Sequence, residues 1–488
     1  MSASLSVIKS AALLLSLQLV QRGLGIVSTL ILARLLVPAE FGIVALVTIS
    51  MQFFELLVET GNQQYIVQKK TLVDDDLNTA WSMDVLLKSL LAVLIIAASP
   101  LLALYFRTPE LTAALSVTAL TLPIRALKTP GLMKLARDIN YRPIFRLTLW
   151  QKIITFIVVI GLALAHPSYW ALIAGNMVSA CILAIGSYRV DAYRPRWTLV
   201  NFREQWGFSQ WLLLRGIVGF TRSQIDNLMV SRFFGTTPLG GYNVVREVSL
   251  LPALSAIIPM SEPLLAAIAK TKDDPATLAY RIRFSLAVMS SCLIPVTLFI
   301  MMYPKLIVGV LLGNNWASYA ELLRPFGLLF FTFCLFALIS DAIIALGKVY
   351  RLFWFDVIST VIIFVTLLLT GTHSLTAMAW SRGWLAIATT LVLLLILARM
   401  TRFGLARYCW LTLPSLVGSA SAGYLIAQCP LQALPPVAEF LLRGTGFVLI
   451  AVAATLILAS LLLRNTEEWH QMRSLLKQVI RRKKPSPL

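Results

Sequence analysis

The stretch ARLLVPAEFG, residues 33–42, closes one long apolar run of the chain and opens the next. A similar stretch, SRFFGTTPLG, occurs at residues 231–240, so that equivalent positions such as 33 and 231 lie 198 residues apart. Each has a small residue, an arginine, two apolar residues, a four-residue turn and an apolar residue before glycine, although the prolines do not align. The repeat predicts that the chain holds two copies of one structural unit.

Composition predicts that this unit lies in a membrane. Of the 488 residues 58% are hydrophobic and only 13% are charged, whereas a soluble domain is roughly 25% charged. The apolar runs approach the ~20 residues that span a bilayer as a helix, and they show no strict alternation that would indicate strands. We therefore predict an all-α polytopic membrane protein with about fourteen transmembrane helices, near residues 10–36, 41–67, 78–105, 111–132, 144–165, 168–188, 207–234, 240–268, 282–303, 317–346, 351–370, 374–398, 406–427 and 437–463.

The helices group into two lobes of six. A second pair of similar segments, YFRTPE at residues 105–110 and LGNNW at 312–316, precedes the fourth helix of each half. The expected divisions are an N-terminal lobe at 1–206, a C-terminal lobe at 207–403, helices 13 and 14 at 404–464, and a basic tail at 465–488. Because six helices return the chain to its starting side, both lobes have the same orientation. They would be related by a pseudo-two-fold axis along the membrane normal, with a cleft between them that suits alternating access.

The net charge of +20 indicates orientation rather than nucleic-acid binding. Most of the 42 Lys and Arg residues fall in alternate connections and in the tail, RRKK at residues 481–484. By the positive-inside rule these parts, and both termini, are expected in the cytoplasm. The first apolar run is expected to be a retained helix rather than a cleaved signal. The tail is expected to be either an amphipathic helix on anionic lipid or a solvated basic segment.

No cofactor is expected. The five cysteines are scattered without a CxxC spacing and the three histidines lie in loops or the tail, so no metal site is predicted. The chain also lacks a Walker motif, which argues against direct ATP drive.

Polar residues inside the predicted spans are the candidate functional groups, because charges buried in lipid are costly and usually face an interior. Residues on one face of the first helix recur at helical spacing, as do residues on the seventh. Asp84 and Lys88, four residues apart on the third helix, are expected to pair. The polar faces are Gln18, Gln21, Arg22 and Gly25 on helix 1; Gln52, Glu55, Glu59 and Asn62 on helix 2; Arg215, Gly219, Arg222 and Asp226 on helix 7; and Arg246 with Glu247 on helix 8.

Several longer strings resemble one known family. They are ARLLVPAEFGIVAL (33–46), ETGNQQYIVQKK (59–70), LMKLARDINYRP (132–143), IDNLMVSRFFGTTPLGGYNVVREVSLLP (225–252) and LLGNNWASYAELLRPFGLL (311–329). In this order they resemble the polysaccharide-transport family of the MOP flippase superfamily, closest to its Wzx-type colanic acid, exopolysaccharide and O-antigen exporters. GTTP at 235–238 and NYR at 140–142 depart from the family consensus, so the sugar stays unassigned.

The resemblance implies a flippase that moves undecaprenyl-diphosphate-linked oligosaccharide repeat units across a bacterial inner membrane, beside a polysaccharide polymerase and export proteins. Guanidinium groups suit a diphosphate because they donate in a bidentate fork. The expected diphosphate contacts are Arg22, Arg215, Arg222, Arg246 and Lys88, and the expected counter-ions or coupling sites are Glu55, Glu59, Asp226 and Asp84. Arg34, Gly42, Arg232 and Gly240 are expected to be structural residues of the repeated turn. The alternative is that the charges only pair with one another and hold the helices in register.

Three other functions stay open. A drug or cation exporter of the same superfamily should prefer acidic cavity residues. A membrane polysaccharide polymerase or ligase should carry a substantial external loop with catalytic residues, and the predicted external loops are short. A non-transporting scaffold of the assembly is the third.

Overall fold

A computed structural model describes residues 2–58, 66, 69, 72–138, 140–253, 274–370 and 373–482, and every regular element in these ranges is helical. The α-helices are α1 (Ser2–Leu35), α2 (Pro38–Leu57), α3 (Asp74–Phe106), α4 (Glu110–Ala119), α5 (Thr121–Ala126), α6 (Gly131–Arg137), α7 (Arg142–Ala165), α8 (Trp170–Val190), α9 (Phe202–Phe234), α10 (Thr236–Pro252), α11 (Pro275–Met302), α12 (Pro304–Leu311), α13 (Leu323–Ala345), α14 (Val349–Thr370), α15 (Leu375–Thr401), α16 (Leu405–Ala427), α17 (Pro436–Leu462) and α18 (Glu467–Arg482). Short 3₁₀ helices cover Asn314–Leu322 and Leu431–Ala433.

The described chain has 11 helices that are long and apolar enough to cross a membrane, or up to 12 if the bent pair Glu110–Ala126 and Gly131–Arg137 forms one span. The all-α class of a polytopic membrane protein is therefore confirmed, and a total of fourteen is compatible with this count. The predicted helices at 207–234 and 240–268 coincide with α9 and α10 but are not among the candidate spans. Residues 254–273 of the latter lie outside the described ranges.

The predicted fourth helix at 111–132 is wrong as a single helix. It is divided into α4, α5 and α6, with a bend of 63° before α6. Pro123 cannot donate a backbone hydrogen bond and its ring crowds the carbonyl four residues earlier, which explains the break after Ala119. Pro130 disfavours helical backbone angles at Thr129, and α6 begins directly after it at Gly131.

By contact density the chain forms two compact units, the first comprising Met1–Val244 with Leu367–Leu375. In this unit α1 packs on α7 and α8 through a core of Leu32, Leu36, Val159, Ala163 and Ala171. The extended segment after α8 is held on the beginning of α3 by polar side chains. Asp76 accepts hydrogen bonds from the amide of Asn201 at 2.6 Å and from Lys69 at 2.7 Å, and Asn78 accepts from the backbone N–H of Arg196 at 2.9 Å.

The second unit comprises Val245–Thr366 and Thr376–Leu488. Within it α16 packs on α17 through Ala422, Ile426, Phe447 and Ala451. Gly418 permits the close approach, since an added Cβ would lie 2.8 Å from the backbone nitrogen of Thr455. Small residues at such contacts are typical of helix packing in membranes, where close van der Waals contact replaces the hydrophobic driving force.

The C-terminal helix α18 is attached to this second unit by a buried carboxylate. Glu468 accepts hydrogen bonds from Arg283 of α11 at 2.8 Å and from Arg407 of α16 at 2.8 Å. Burial raises the pKa of Glu468, but hydrogen bonds from its own backbone, Arg407 and Arg283 outweigh burial and hold that pKa below its usual value. The predicted tail is therefore helical over Glu467–Arg482, and whether it also contacts lipid stays a prediction.

The compact units do not have the boundaries of the predicted lobes, because α9 and the start of α10 belong to the first unit. The compact units are defined by the contacts among residues, whereas the predicted lobes are defined by the sequence repeat, so the two divisions need not coincide. The division at 206/207, and those at 403/404 and 464/465, stay predictions.

Candidate functional site

The two copies of the repeated turn contact each other inside the first unit. An added Cβ at Gly42 would lie 2.7 Å from the carbonyl carbon of Thr236, and closer still to its oxygen. An added Cβ at Gly240 would lie 2.9 Å from the carbonyl carbon of Pro38 and 2.7 Å from the backbone nitrogen of Gly42. Thus position 42 faces position 236, and position 240 faces position 38. This is the reciprocal pattern that a two-fold axis produces when residues 198 apart are equivalent.

Polar contacts surround this junction. The hydroxyls of Thr108 and Thr236 lie 2.6 Å apart, and the Glu40 carboxylate accepts the backbone N–H of Tyr169 at 2.5 Å. The exposed Arg232 guanidinium lies 5.3 Å from the centroid of the Tyr105 ring, a cation–π distance. Arg34 is exposed at the end of α1 and also has an interaction partner. The arginines of the two turns are therefore placed at the ends of helices.

A chain of amide side chains joins α2, α9 and α10 within the first unit. The Gln224 amide donates to Gln52 at 3.0 Å, and the Asn227 amide lies 2.8 Å from the oxygen of Gln224 and 3.4 Å from that of Asn243. Phe53 and Phe220 pack beside this chain with ring centroids 5.6 Å apart. Gln52 of the predicted polar face of helix 2 therefore contacts α9 through Gln224, which lies outside the polar face predicted for helix 7.

Asp226 is fully buried on α9 and accepts a hydrogen bond from the Tyr242 hydroxyl at 3.2 Å. Arg222, one turn earlier, is half-buried and has an interaction partner. A buried carboxylate needs such donors, because an unpaired charge in an apolar interior is costly.

Other predicted residues are not brought together by contacts among the described side chains. Arg22 on α1 and Glu55 on α2 are half-buried and form no ion pair with another described residue. Arg215 lies within α9, but its side chain is outside the described part of the chain, as is Glu59. Arg246 is half-buried on α10, belongs to the second unit and has an interaction partner.

The predicted pair on α3 is present, and it has neighbours that the sequence did not reveal. Lys88 donates to Asp84 at 2.8 Å. Lys128, in the break before α6, interacts electrostatically with Lys88, Asp84 and Arg125. These four side chains, Asp84, Lys88, Arg125 and Lys128, form what we call the α3–α6 cationic cluster. Their spacing along the chain gives no signal for it, because Lys128 lies 40 residues after Lys88.

Among the residues that the structure describes, no three His, Cys, Asp or Glu side chains are grouped closely enough to hold a metal ion. The candidate site therefore consists of cations, buried carboxylates and amides within apolar helices. The cationic and amide side chains can bind an anionic head group. The described residues offer no group of side chains that could bind a metal ion.

These features define a multi-pass α-helical membrane protein whose repeated helix junctions meet in reciprocal contact. A family profile described as "Polysaccharide biosynthesis protein" matches residues 31–321, and the chain belongs to this family. It is 22% identical over 306 residues to the lipopolysaccharide biosynthesis protein WzxC of Escherichia coli K12, covering 62% of each chain. It is 24% identical over 298 residues to the succinoglycan biosynthesis transport protein ExoT of Rhizobium meliloti, covering 60% of each. The matches thus span about six tenths of the length of these relatives.

A solved structure of the lipid II flippase MurJ, in an inward closed conformation, is similar over 94% of this chain and 99% of that one. Its TM-score is 0.74 at 14% sequence identity. At this identity the likeness establishes a shared fold.

Proposed function

We propose that this protein is a flippase that carries lipid-linked oligosaccharide repeat units across the bacterial inner membrane, for exopolysaccharide, capsule or O-antigen biosynthesis. The observation that carries the proposal is the family match over residues 31–321 on a fold shared with a lipid II flippase. The relatives are named for lipopolysaccharide biosynthesis and succinoglycan transport. In this proposal the protein is a transporter and not an enzyme, and a polysaccharide polymerase and export proteins are its partners.

The cargo would be a diphosphate-linked sugar, and the structure supports an anionic head group. The α3–α6 cationic cluster brings the basic side chains Lys88, Lys128 and Arg125 near the carboxylate of Asp84 within the described residues. Basic side chains outnumber carboxylates there, so the cluster offers hydrogen-bond donors to an entering diphosphate. Arg22, Arg215, Arg222 and Arg246 remain proposed contacts, and Glu55, Glu59 and Asp226 remain proposed counter-ions or coupling groups.

Alternating access would separate and rejoin the two repeated turns. The reciprocal contact of Gly42 with Thr236, and of Gly240 with Pro38, supports a symmetric closed junction on the predicted external side. Both termini would then be cytoplasmic, with Glu468 fixing α18 to the cytoplasmic ends of α11 and α16.

The test is a deletion strain that retains the glycosyltransferases. Loss of the flippase should accumulate lipid-linked repeat units on the cytoplasmic face, whereas loss of a polymerase would accumulate them outside. Plasmid-borne wild-type protein should restore polymer, and the Lys88→Gln/Lys128→Gln variant should restore much less. Lys305→Gln, at a side chain that is 82% exposed, is the matched control. Accumulation on the outer face, or full polymer from the double variant, would contradict the proposal.

The drug or cation exporter is the second candidate, because flippases and exporters share this superfamily. Restored drug resistance without restored polymer would favour it. The positive excess of the α3–α6 cationic cluster argues against a cationic cargo.

A further inference from the structure

An open apolar groove runs between α14 and α15 in the second unit. Its volume is about 700 Å³, within the range of roughly 300–1,000 Å³ that is usual for ligand sites. Aromatic and branched side chains line it from both helices, including Trp354, Ile358, Ile362, Leu385, Val392 and Ile396. Ile358 is 56% exposed and Val392 is 49% exposed. The described helices of this unit therefore leave the groove uncovered.

One end of the groove is cationic. Arg351, at the start of α14, and Arg399, near the end of α15, line the groove. A second cavity of about 660 Å³ shares Arg351 and adds Lys348 and Arg402. No acidic side chain lines either cavity, and these four cations make no ion pair within the described chain. The groove thus joins an apolar channel to a cluster of positive charge that no described acidic side chain neutralises.

Nearby arginines of the same unit show the contrast. Arg283 and Arg407 share the buried carboxylate of Glu468. Among the described residues, the four cations of the groove end have no such partner, although they belong to the same compact unit. A ligand that neutralises them must bring its own negative charge.

We propose that the groove binds one anionic glycerophospholipid of the surrounding bilayer, with its acyl chains along α14 and α15 and its phosphate at Arg351, Arg399, Lys348 and Arg402. Basic pockets between membrane helices recognise such head groups, and arginine suits phosphate because it donates in a fork. Tyr350 and Trp354 lie at the same end, with ring centroids 6.2 Å apart. Their amphipathic rings fit the head-group level of a bilayer.

In this proposal the groove binds a bilayer phospholipid and is not the path along which a diphosphate head group is transported. Among the described lining residues, the hydroxyls along the apolar stretch are those of Ser359 and Thr389. Ser359 already donates to the carbonyl of Asp356 at 3.1 Å, and Thr389 to that of Leu385 at 2.8 Å. The other described lining residues between the charged end and Ile362 are apolar, so a diphosphate crossing this stretch would lose its hydration without gaining polar contacts.

The test is lipid binding to the full-length purified protein, measured by native mass spectrometry during titration. The probes are dioleoylphosphatidylglycerol and dioleoylphosphatidylcholine, which have the same acyl chains and differ in charge. Wild type should bind the phosphatidylglycerol more tightly. The Arg351→Gln/Arg399→Gln variant should lose this preference, with binding weakened about tenfold or more. Arg142→Gln/Arg146→Gln is the control of equal charge change, since these two exposed arginines line neither cavity.

Two further variants separate charge from shape. Arg351→Lys/Arg399→Lys keeps the charge and should retain most of the preference, while Ala388→Trp should weaken phosphatidylglycerol binding by filling the apolar part. If the Arg351→Gln/Arg399→Gln variant does not fold, as judged by size-exclusion elution, Ala388→Trp still tests whether the groove binds the lipid. Equal binding of both lipids by wild type, or an equal loss in the Arg142/Arg146 control, would overturn the proposal. Displacement of phosphatidylglycerol by undecaprenyl diphosphate at equal concentration would overturn the assignment to a bilayer lipid. None of these readouts depends on transport.

Discussion

The reciprocal contact of Gly42 with Thr236 and of Gly240 with Pro38 predicts how substitutions should change the conformational equilibrium. At Gly42 an added Cβ would lie 2.7 Å from the carbonyl carbon of Thr236, and real Cβ atoms essentially never approach within 3.0 Å. The obstacle is backbone of the opposite turn, which cannot rotate away like a flexible side chain. Gly42→Ala must therefore separate the two turns, and overpacking of this kind costs about 1–3 kcal/mol.

The cost applies only to the conformation in which the turns touch. The equilibrium between the conformation with the turns in contact and the conformation with the turns apart therefore shifts toward the second by the same free energy. A substitution shifts such an equilibrium by the difference between its effects on the two conformations. At about 1.4 kcal/mol per factor of ten, the expected shift is roughly 5- to 150-fold. Gly240→Ala should act in the same direction. The double variant should give less than the sum, because both substitutions open one contact.

Cysteine labelling can measure this shift. Thr108 is only 5% exposed and bonds to Thr236 in the closed junction, so Thr108→Cys should react slowly with a membrane-impermeant maleimide. The natural cysteines would be replaced first. Adding Gly42→Ala should raise the labelling rate. Gly161→Ala is the matched control, since an added Cβ there meets nothing within 4 Å. The same rate in both variants would refute the argument that the turn contact takes part in opening.

Three further predictions concern stability. Glu468→Gln should detach α18, lowering Tm in detergent and increasing proteolysis after α17. In the wild type, the ion pairs of Glu468 should be fully formed above its usual pKa of 4.5 and should weaken as the pH falls through its lowered pKa. A rate of proteolysis after α17 that does not change on acidification would contradict this role of Glu468. Tyr242→Phe removes a donor from buried Asp226 and should cost about 1–3 kcal/mol in a chemical-unfolding titration; unchanged unfolding would show that the other interactions of Asp226 suffice. Gly418→Ala should lower Tm by forcing α16 from α17, whereas Gly309→Ala, with nothing near its Cβ, should not; equal Tm values would count against close packing there.

Much of the architecture could be predicted from local sequence features. The excess of apolar residues over charged ones requires a lipid-facing surface, so composition alone determined the membrane class. The pairing of Asp84 with Lys88 followed from their i, i+4 spacing, which places both on one helix face. The break in the fourth helix is not evident from hydropathy, because the segment before Pro123 is apolar and a proline alone can be accommodated within a membrane helix.

The repeated turn shows where sequence and tertiary structure divide. The sequence by itself determined that residues 33–42 and 231–240 have similar roles, because local patterns specify helix ends and turns. Only the tertiary structure decided that the two turns meet, that Lys128 lies near Lys88, and that Arg351 and Arg399 adjoin an apolar groove. These contacts join residues far apart in the chain, and their existence depends on how whole helices pack. Helix packing depends on many weak contacts at once, so it cannot be predicted from the residue spacing of any short segment.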